Sequence, residues 1–322
     1  MEEKYYAHAH FECLSGIPPH LITQSDFNSL RTAYKACLSL YWIEKKFEIV
    51  SDNYYEFEEE IKTSYDFIVS NRQKNIVKEG QKQVSTLNRR LVNLLCSIRM
   101  YRDQVLHDSS QLQQIICPDY DMKQKLESKT NELYDRSFAF QLMELLRNYT
   151  QHQGLIIERV TAFIPFGNFT GNKLLYFVEV NFNAIKEIEG YNKKIKTPIE
   201  HNHEWLNLIE FIREYYKCWI EFHNYLHTII SSALSKQLNC VYSTLKKHFE
   251  IIDDSISVYT EKDGLGPHFL LQLSYLKGLA VMYTKEEKIN LMLGYISKEC
   301  IRCSETTQVR NSQKMSFRCN TV

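Results

Sequence analysis

Near the middle of this chain an arginine, an asparagine and a histidine fall in one short segment, Leu145-Leu146-Arg147-Asn148-Tyr149-Thr150-Gln151-His152. On an α-helix Asn148 and His152 are four residues apart and share a face. Arg147 lies about 100° round from Asn148, outside the apolar series Phe138, Leu142, Leu145 and Tyr149. One helix can thus pack along one side and present a cation, an amide and an imidazole along another. Those groups suit cleavage of RNA without a metal. The ribose 2′-hydroxyl must lose a proton to attack the neighbouring phosphorus, and the leaving 5′-oxygen must gain one; an imidazole that titrates near neutrality can do either. A guanidinium offers a fork of donors to the charge that builds on the phosphorane. The asparagine can orient the histidine or bind a phosphate oxygen. The plainer account is a surface arginine and histidine near a helix C-terminus, where cations are favoured in any case.

A second segment repeats the order: Arg102-Asp103-Gln104-Val105-Leu106-His107, also at the end of a helical pattern. Arg99, Asp103 and His107 lie four apart in succession, so Arg99 with Asp103 also reads as an ordinary ion pair along a helix. Two such segments 45 residues apart, on helices able to pack together, allow a composite groove within one chain. Metal sites have weaker support. His201-Asn202-His203-Glu204 precedes a helical pattern rather than lying on one, and Cys300, Cys303 and Cys319 supply three thiols with no evident fourth ligand. The chain contains no phosphate-binding P-loop, no dinucleotide-binding glycine motif and no nucleophile elbow. No metal and no cofactor is therefore expected.

Arg, a polar residue, three further positions and then His near the end of a helix resembles the motif of the HEPN superfamily, helical-bundle proteins that include many metal-independent endoribonucleases of toxin and antiviral-defence systems. Arg147, Asn148 and His152 match that motif residue by residue. The resemblance covers the motif and its helical setting, about residues 75–152 and a later helix. It implies an active site at the interface of a homodimer, with one motif from each subunit, and a product ending in a 2′,3′-cyclic phosphate. It also implies an RNA substrate and the company of an antitoxin or another defence protein. A non-catalytic HEPN-like protein that dimerises or binds a partner enzyme is the alternative.

The elements that must position these residues are helical. Gly (10) and Pro (6) are scarce in 322 residues, which favours long helices over a turn-rich barrel. Ser25-Asp26 can cap a helix of about 25 residues, and a second starts after Ser51-Asp52. Val84, Leu87, Leu91, Leu94, Ile98, Tyr101 and Val105 mark the most regular helix, over 75–107. From Leu155 the pattern changes to β-branched and aromatic runs, Leu155–Phe166 and Lys173–Phe182, with Gly167-Asn168 and Gly171-Asn172 between them, a hairpin signal. Helical spacing returns from Trp205 to Leu245, as one helix or as two broken near Ser231-Ser232. A strand over His268–Tyr275, a helix over 285–300 and a loose polar end, Ser304–Lys314, follow.

The expected fold is thus mainly α: a helical bundle with a small β-hairpin insertion and a mixed C-terminal extension. Its parts are an N-terminal arm (1–23), a helical bundle with both Arg/His segments (24–152), the hairpin insertion (153–190), a long helical segment completing the bundle (191–256) and the extension with its polar tail (257–322). Lys+Arg and Asp+Glu are equal at 39 each, so a chain-wide attraction to nucleic acid is absent and only a local basic groove remains open. Nine cysteines scattered singly read as reduced thiols of a cytoplasmic protein. The N-terminus lacks an apolar signal region, and no apolar run suits a membrane span.

Overall fold

The computed structural model describes residues 3–10, 19–70, 77–116, 121–165, 175–196, 204–249, 255–260, 269–272 and 312–318. The protein is mainly helical, with two small antiparallel sheets among the described residues. Three helices dominate: α1 (Gln24–Ser70), α2 (Val77–Ile116) and α7 (Ile209–Lys246). Between α2 and α7 lie α3 (Met122–Arg136), α4 (Phe138–His152) and two short helices, α5 (Phe182–Glu187) and α6 (Tyr191–Lys194). Among the described residues no helix is long and apolar enough to cross a membrane.

The expected break at Ser51-Asp52 does not occur, and α1 runs through it. Ser51 turns its hydroxyl back to the carbonyl of Phe47 at 3.1 Å, which satisfies it inside a helix. The stripe Phe47, Val50, Tyr54, Phe57 and Ile61 stays buried across the point. α7 is likewise one helix, and its series Ile212, Tyr215, Trp219, Phe222, Leu226 and Ile230 is wholly buried within the single chain.

The chain folds into two compact units. One comprises residues 1–45, 104–126 and 224–292, the other 46–103, 127–223 and 293–322, so α1, α2 and α7 each give one end to each unit. The first unit carries a sheet of order β2-β1-β6-β7, formed by β1 (Tyr5–His10), β2 (His20–Ile22), β6 (Ser255–Thr260) and β7 (Phe269–Gln272). Residues 1–23 therefore hold two paired strands where an arm was expected; Tyr6 opposes Leu21 and Tyr259, and these long-range pairings leave no local period in the sequence.

The second unit carries a sheet of order β5-β4-β3-β8. β3 (Arg159–Pro165) and β4 (Leu175–Asn181) are the expected hairpin strands, with Val160 opposite Val178. They do not stand alone: β5 (Trp205–Asn207) pairs with β4, and β8 (Ser312–Arg318) pairs with β3, where a loose end was expected. The hairpin turn and the 285–300 helix lie outside the described residues. Arg159 sits opposite Glu179, donates to it from Nε at 2.8 Å and lies 3.6 Å over the Trp205 ring, so this buried charge is paired within its own sheet.

Candidate functional site

The helix that carries Arg147 is α4, in the second unit. Ser137 caps it, accepting the Phe140 N–H on its hydroxyl at 3.2 Å, and Gln153 and Gly154 close it by donating their N–H groups to the Tyr149 carbonyl at 2.8 and 3.3 Å. Asn88 of α2 then fixes the chain beyond the helix: its amide donates to the Ile157 carbonyl at 2.7 Å and its Oδ1 accepts the Ile156 and Ile157 N–H groups.

Nine consecutive residues of α4, Ala139 to Arg147, are buried. A helix enclosed on every side leaves its polar residues no route to water. Gln141 and Glu144 find partners inside, and Arg147 finds its hydrogen bonds at the half-buried Asn148 and the exposed Gln151. Gln141 donates to the Tyr134 carbonyl at 2.8 Å and accepts the Lys196 N–H at 2.7 Å. Glu144 accepts the Tyr215 hydroxyl at 2.6 Å, and its other oxygen lies 3.6 Å from Arg147 Nε. Burial, followed by the charge of Glu144, pushes the Tyr215 hydroxyl well above the usual tyrosine range, so it stays a donor.

Arg147 is 8% exposed. Its terminal nitrogens donate to Gln151 Oε1 at 3.1 Å and Asn148 Oδ1 at 2.5 Å, while its Nε has no hydrogen bond, the Glu144 oxygen being too far away. The guanidinium therefore faces one distant carboxylate and two neutral amide oxygens. Lys194 of α6 adds a second cation in its field. Burial, and then the charge of Arg147, lower the Lys194 ammonium below the usual lysine range. One carboxylate among two cations suits an anion better than a metal ion, which wants several oxygen or nitrogen donors. No protein-family model, no curated protein and no solved structure matches this chain.

His152 is exposed in the last turn of α4, and Asn148 is half-buried. Five residues turn a helix by about 140° from start to end, so the buried arginine and the exposed histidine project differently. Asn148 engages Arg147 rather than His152. On α2, Arg102 is half-buried with its Nε lacking a hydrogen bond, Asp103 accepts from Arg99 Nε at 2.6 Å, and His107 is exposed. Among the described residues no hydrogen bond or ion pair joins Arg102 or Asp103 to Arg147, Asn148 or His152.

The metal-ligand candidates fall elsewhere. His201, Asn202, His203, Cys300, Cys303 and Cys319 lie outside the described residues. Tyr54 is a core residue, stacked on Tyr216 at 3.8 Å and donating to Glu58 at 2.9 Å, while Tyr6 stacks on Tyr259. Two imidazole contacts, one half-buried and one buried, went unmarked by sequence reasoning. In the first unit His227 Nε2 meets Glu44 at 2.8 Å. In the second, His223 Nδ1 meets the Tyr101 hydroxyl at 2.7 Å with its ring stacked on Phe47. The only signal for either was an imidazole inside an apolar helical stripe.

Proposed function

We propose that this chain is a metal-independent endoribonuclease of HEPN type, in which Arg147 binds the scissile phosphate and His152 moves the proton. The observation that carries the reading is the Arg147 guanidinium, held in place with two neutral amide acceptors that a phosphate oxygen would replace with a charge-assisted pair. A fixed fork of donors costs little reorganisation as charge builds on the phosphorane. Asn148 orients Arg147. The exposed His152 is reachable by a ribose 2′-hydroxyl or a leaving 5′-oxygen. Attack by the 2′-oxygen on the phosphorus breaks the bond to the 5′-oxygen and leaves a 2′,3′-cyclic phosphate. In the resemblance the groove belongs to a homodimer, which would bring a second His152 to the phosphate. A cytoplasmic toxin or antiviral-defence effector, restrained by a partner protein, is the setting this reading implies.

The experiment is incubation of pure protein with total RNA in excess chelator and mapping of the 3′ ends. Cyclic phosphates, absent with His152→Ala, are expected; a strict need for Mg²⁺ or Zn²⁺ overturns the mechanism. A specific observation favours a second reading, a non-catalytic protein that binds a partner. Arg147 is nearly enclosed and linked through Glu144 to Tyr215, as a fold-building arginine would be. Wild-type protein that leaves RNA intact at every concentration selects that reading.

A further inference from the structure

Two hydrogen bonds of the second unit fasten the one-turn helix α6 and the segment just after it to α3 and α4, which a third bond ties to each other. Tyr134 donates its hydroxyl to the Lys194 carbonyl at 2.5 Å, the Lys196 N–H reaches Gln141 at 2.7 Å, and Gln141 holds the Tyr134 carbonyl at 2.8 Å. Gly190 enters the turn at φ 87°, a conformation that favours glycine, and the position of its absent Cβ lies 3.8 Å from Lys194 Cε. The bond to its carbonyl fixes the Lys194 backbone on α6, and the residue is half-buried.

Its electrostatic situation differs from that of the lysines around it. Lys196 pairs with Asp135 at 2.6 Å, and Lys129 lies at 2.8 Å from both Glu132 and Glu221. Lys194, half-buried, has no carboxylate partner among the described residues. Burial first, and then the like charge of Arg147, lower its proton affinity, and the charge of Glu144 opposes that effect. Glu144 is already shared with Tyr215 and Arg147. Two partly desolvated cations against one shared carboxylate leave a positive excess, and such an excess is stabilised by an anion.

We propose that Lys194 and Arg147 together bind one phosphoryl group, Lys194 as a point charge and Arg147 as a planar fork; this rests on the reading that Arg147 meets a phosphate. The shared chemistry is a tetrahedral oxyanion, supplied by an RNA backbone or by a free phosphate. Lys194 is a binding residue. It takes no proton in the reaction, and the backbone bond from Tyr134 to its carbonyl survives a change of its side chain.

The test is fluorescence anisotropy with a labelled single-stranded 2′-O-methyl oligoribonucleotide, which binds but cannot be cut, at low salt. Inorganic phosphate serves as competitor. Wild type is expected to bind; Lys194→Gln to bind about tenfold more weakly, the loss of one charge-assisted contact; Lys194→Arg to retain most of the affinity; and Lys193→Gln, which changes an exposed neighbour on the same turn, to match wild type. Circular dichroism of all variants should coincide. Equal binding by Lys194→Gln and wild type overturns the inference. So does an equal loss in Lys193→Gln, which would mean general charge alone, or failure of wild type to bind either probe. Lys194-dependent oligomer binding with ordinary RNA left uncut preserves the phosphate site and sinks the nuclease reading. Lys194-dependent binding of inorganic phosphate alone, read by titration calorimetry, without binding of the oligomer preserves the site with a small phosphorylated ligand as its source.

Discussion

The end of α4 and the middle of α2 share the order arginine, polar residue, three positions, histidine, yet the two helices treat their arginines differently. At α4 the helix is enclosed for nine residues, so Arg147 is buried against Glu144 and donates to the half-buried Asn148 and the exposed Gln151. At α2 the side bearing Ile98, Tyr101 and Val105 is the enclosed one, and the acidic residue of the segment serves Arg99 instead of its neighbour Arg102. Spacing along a helix sets which residues share a face. How much of the circumference is covered decides whether a polar residue on that face becomes a fixed internal group or a solvated one. Fixed groups are what an oxyanion site requires, which sets the α4 segment apart.

The largest expected effect separates the two histidines. Loss of a group that transfers protons costs about 10²–10⁴ in rate, so His152→Ala should nearly abolish RNA cleavage while the urea midpoint stays put, His152 being exposed. His107→Ala should cleave as wild type does. Equal damage from the two substitutions would break the distinction and restore a composite groove built from both segments.

The arginines should separate by stability. Arg147→Ala leaves Glu144 buried with only the Tyr215 hydroxyl, and removing one partner of a buried pair costs about 3 kcal/mol. Arg102→Ala should cost under about 1 kcal/mol. Denaturant titration of both proteins measures the difference. This expectation departs from a motif read as surface groups, for which neither substitution would disturb folding. Arg147→Lys is then the better probe of activity, because it keeps the charge and removes only the fork.

Much of this arrangement was legible in the sequence, and the losses have particular causes. The apolar stripes of α2, α4 and α7 and the β3–β4 hairpin follow local periodicity, and periodicity is local by construction. The burial of Arg147 was not legible. Gln141, Glu144 and Arg147 look like a solvated face until the rest of the fold encloses α4. Lys194 lies 47 residues beyond Arg147 on a helix of one turn, too short to leave a period. β8 reads as a polar tail, since Ser312-Gln313-Lys314 has no apolar alternation, and only pairing with β3 makes it a strand. Ser51-Asp52 looks like a helix start because the side chain that caps a helix can also bond backwards within one.

A smaller effect sharpens the picture of α4 as a linked polar chain. Tyr215→Phe removes the donor to Glu144 while keeping the ring, and should cost about 1–3 kcal/mol by leaving a buried carboxylate oxygen unpaired. With Tyr215 and Arg147 acting on one carboxylate, the double substitution should cost less or more than the sum by a measurable coupling. Strict additivity in the cycle would mean that the two residues do not share Glu144 in solution.

The smallest expected effect belongs to α2. Arg99 and Asp103 form an i,i+4 pair at 2.6 Å with both side chains largely in water, 38% and 50% exposed. Such pairs contribute about 0.3–0.5 kcal/mol, and salt screens them. Asp103→Ala should therefore lower the urea midpoint barely at low ionic strength and not at all in molar salt, and a double-mutant cycle with Arg99→Ala isolates the pair. The value matters for the comparison because it fixes what Asp103 is for. If the residue acts only as an ion-pair partner, the cycle accounts for the whole effect and RNA cleavage is untouched. If Asp103→Ala instead slows cleavage by an order of magnitude while the coupling to Arg99 stays near zero, the aspartate serves Arg102. The α2 segment would then join α4 as part of the site.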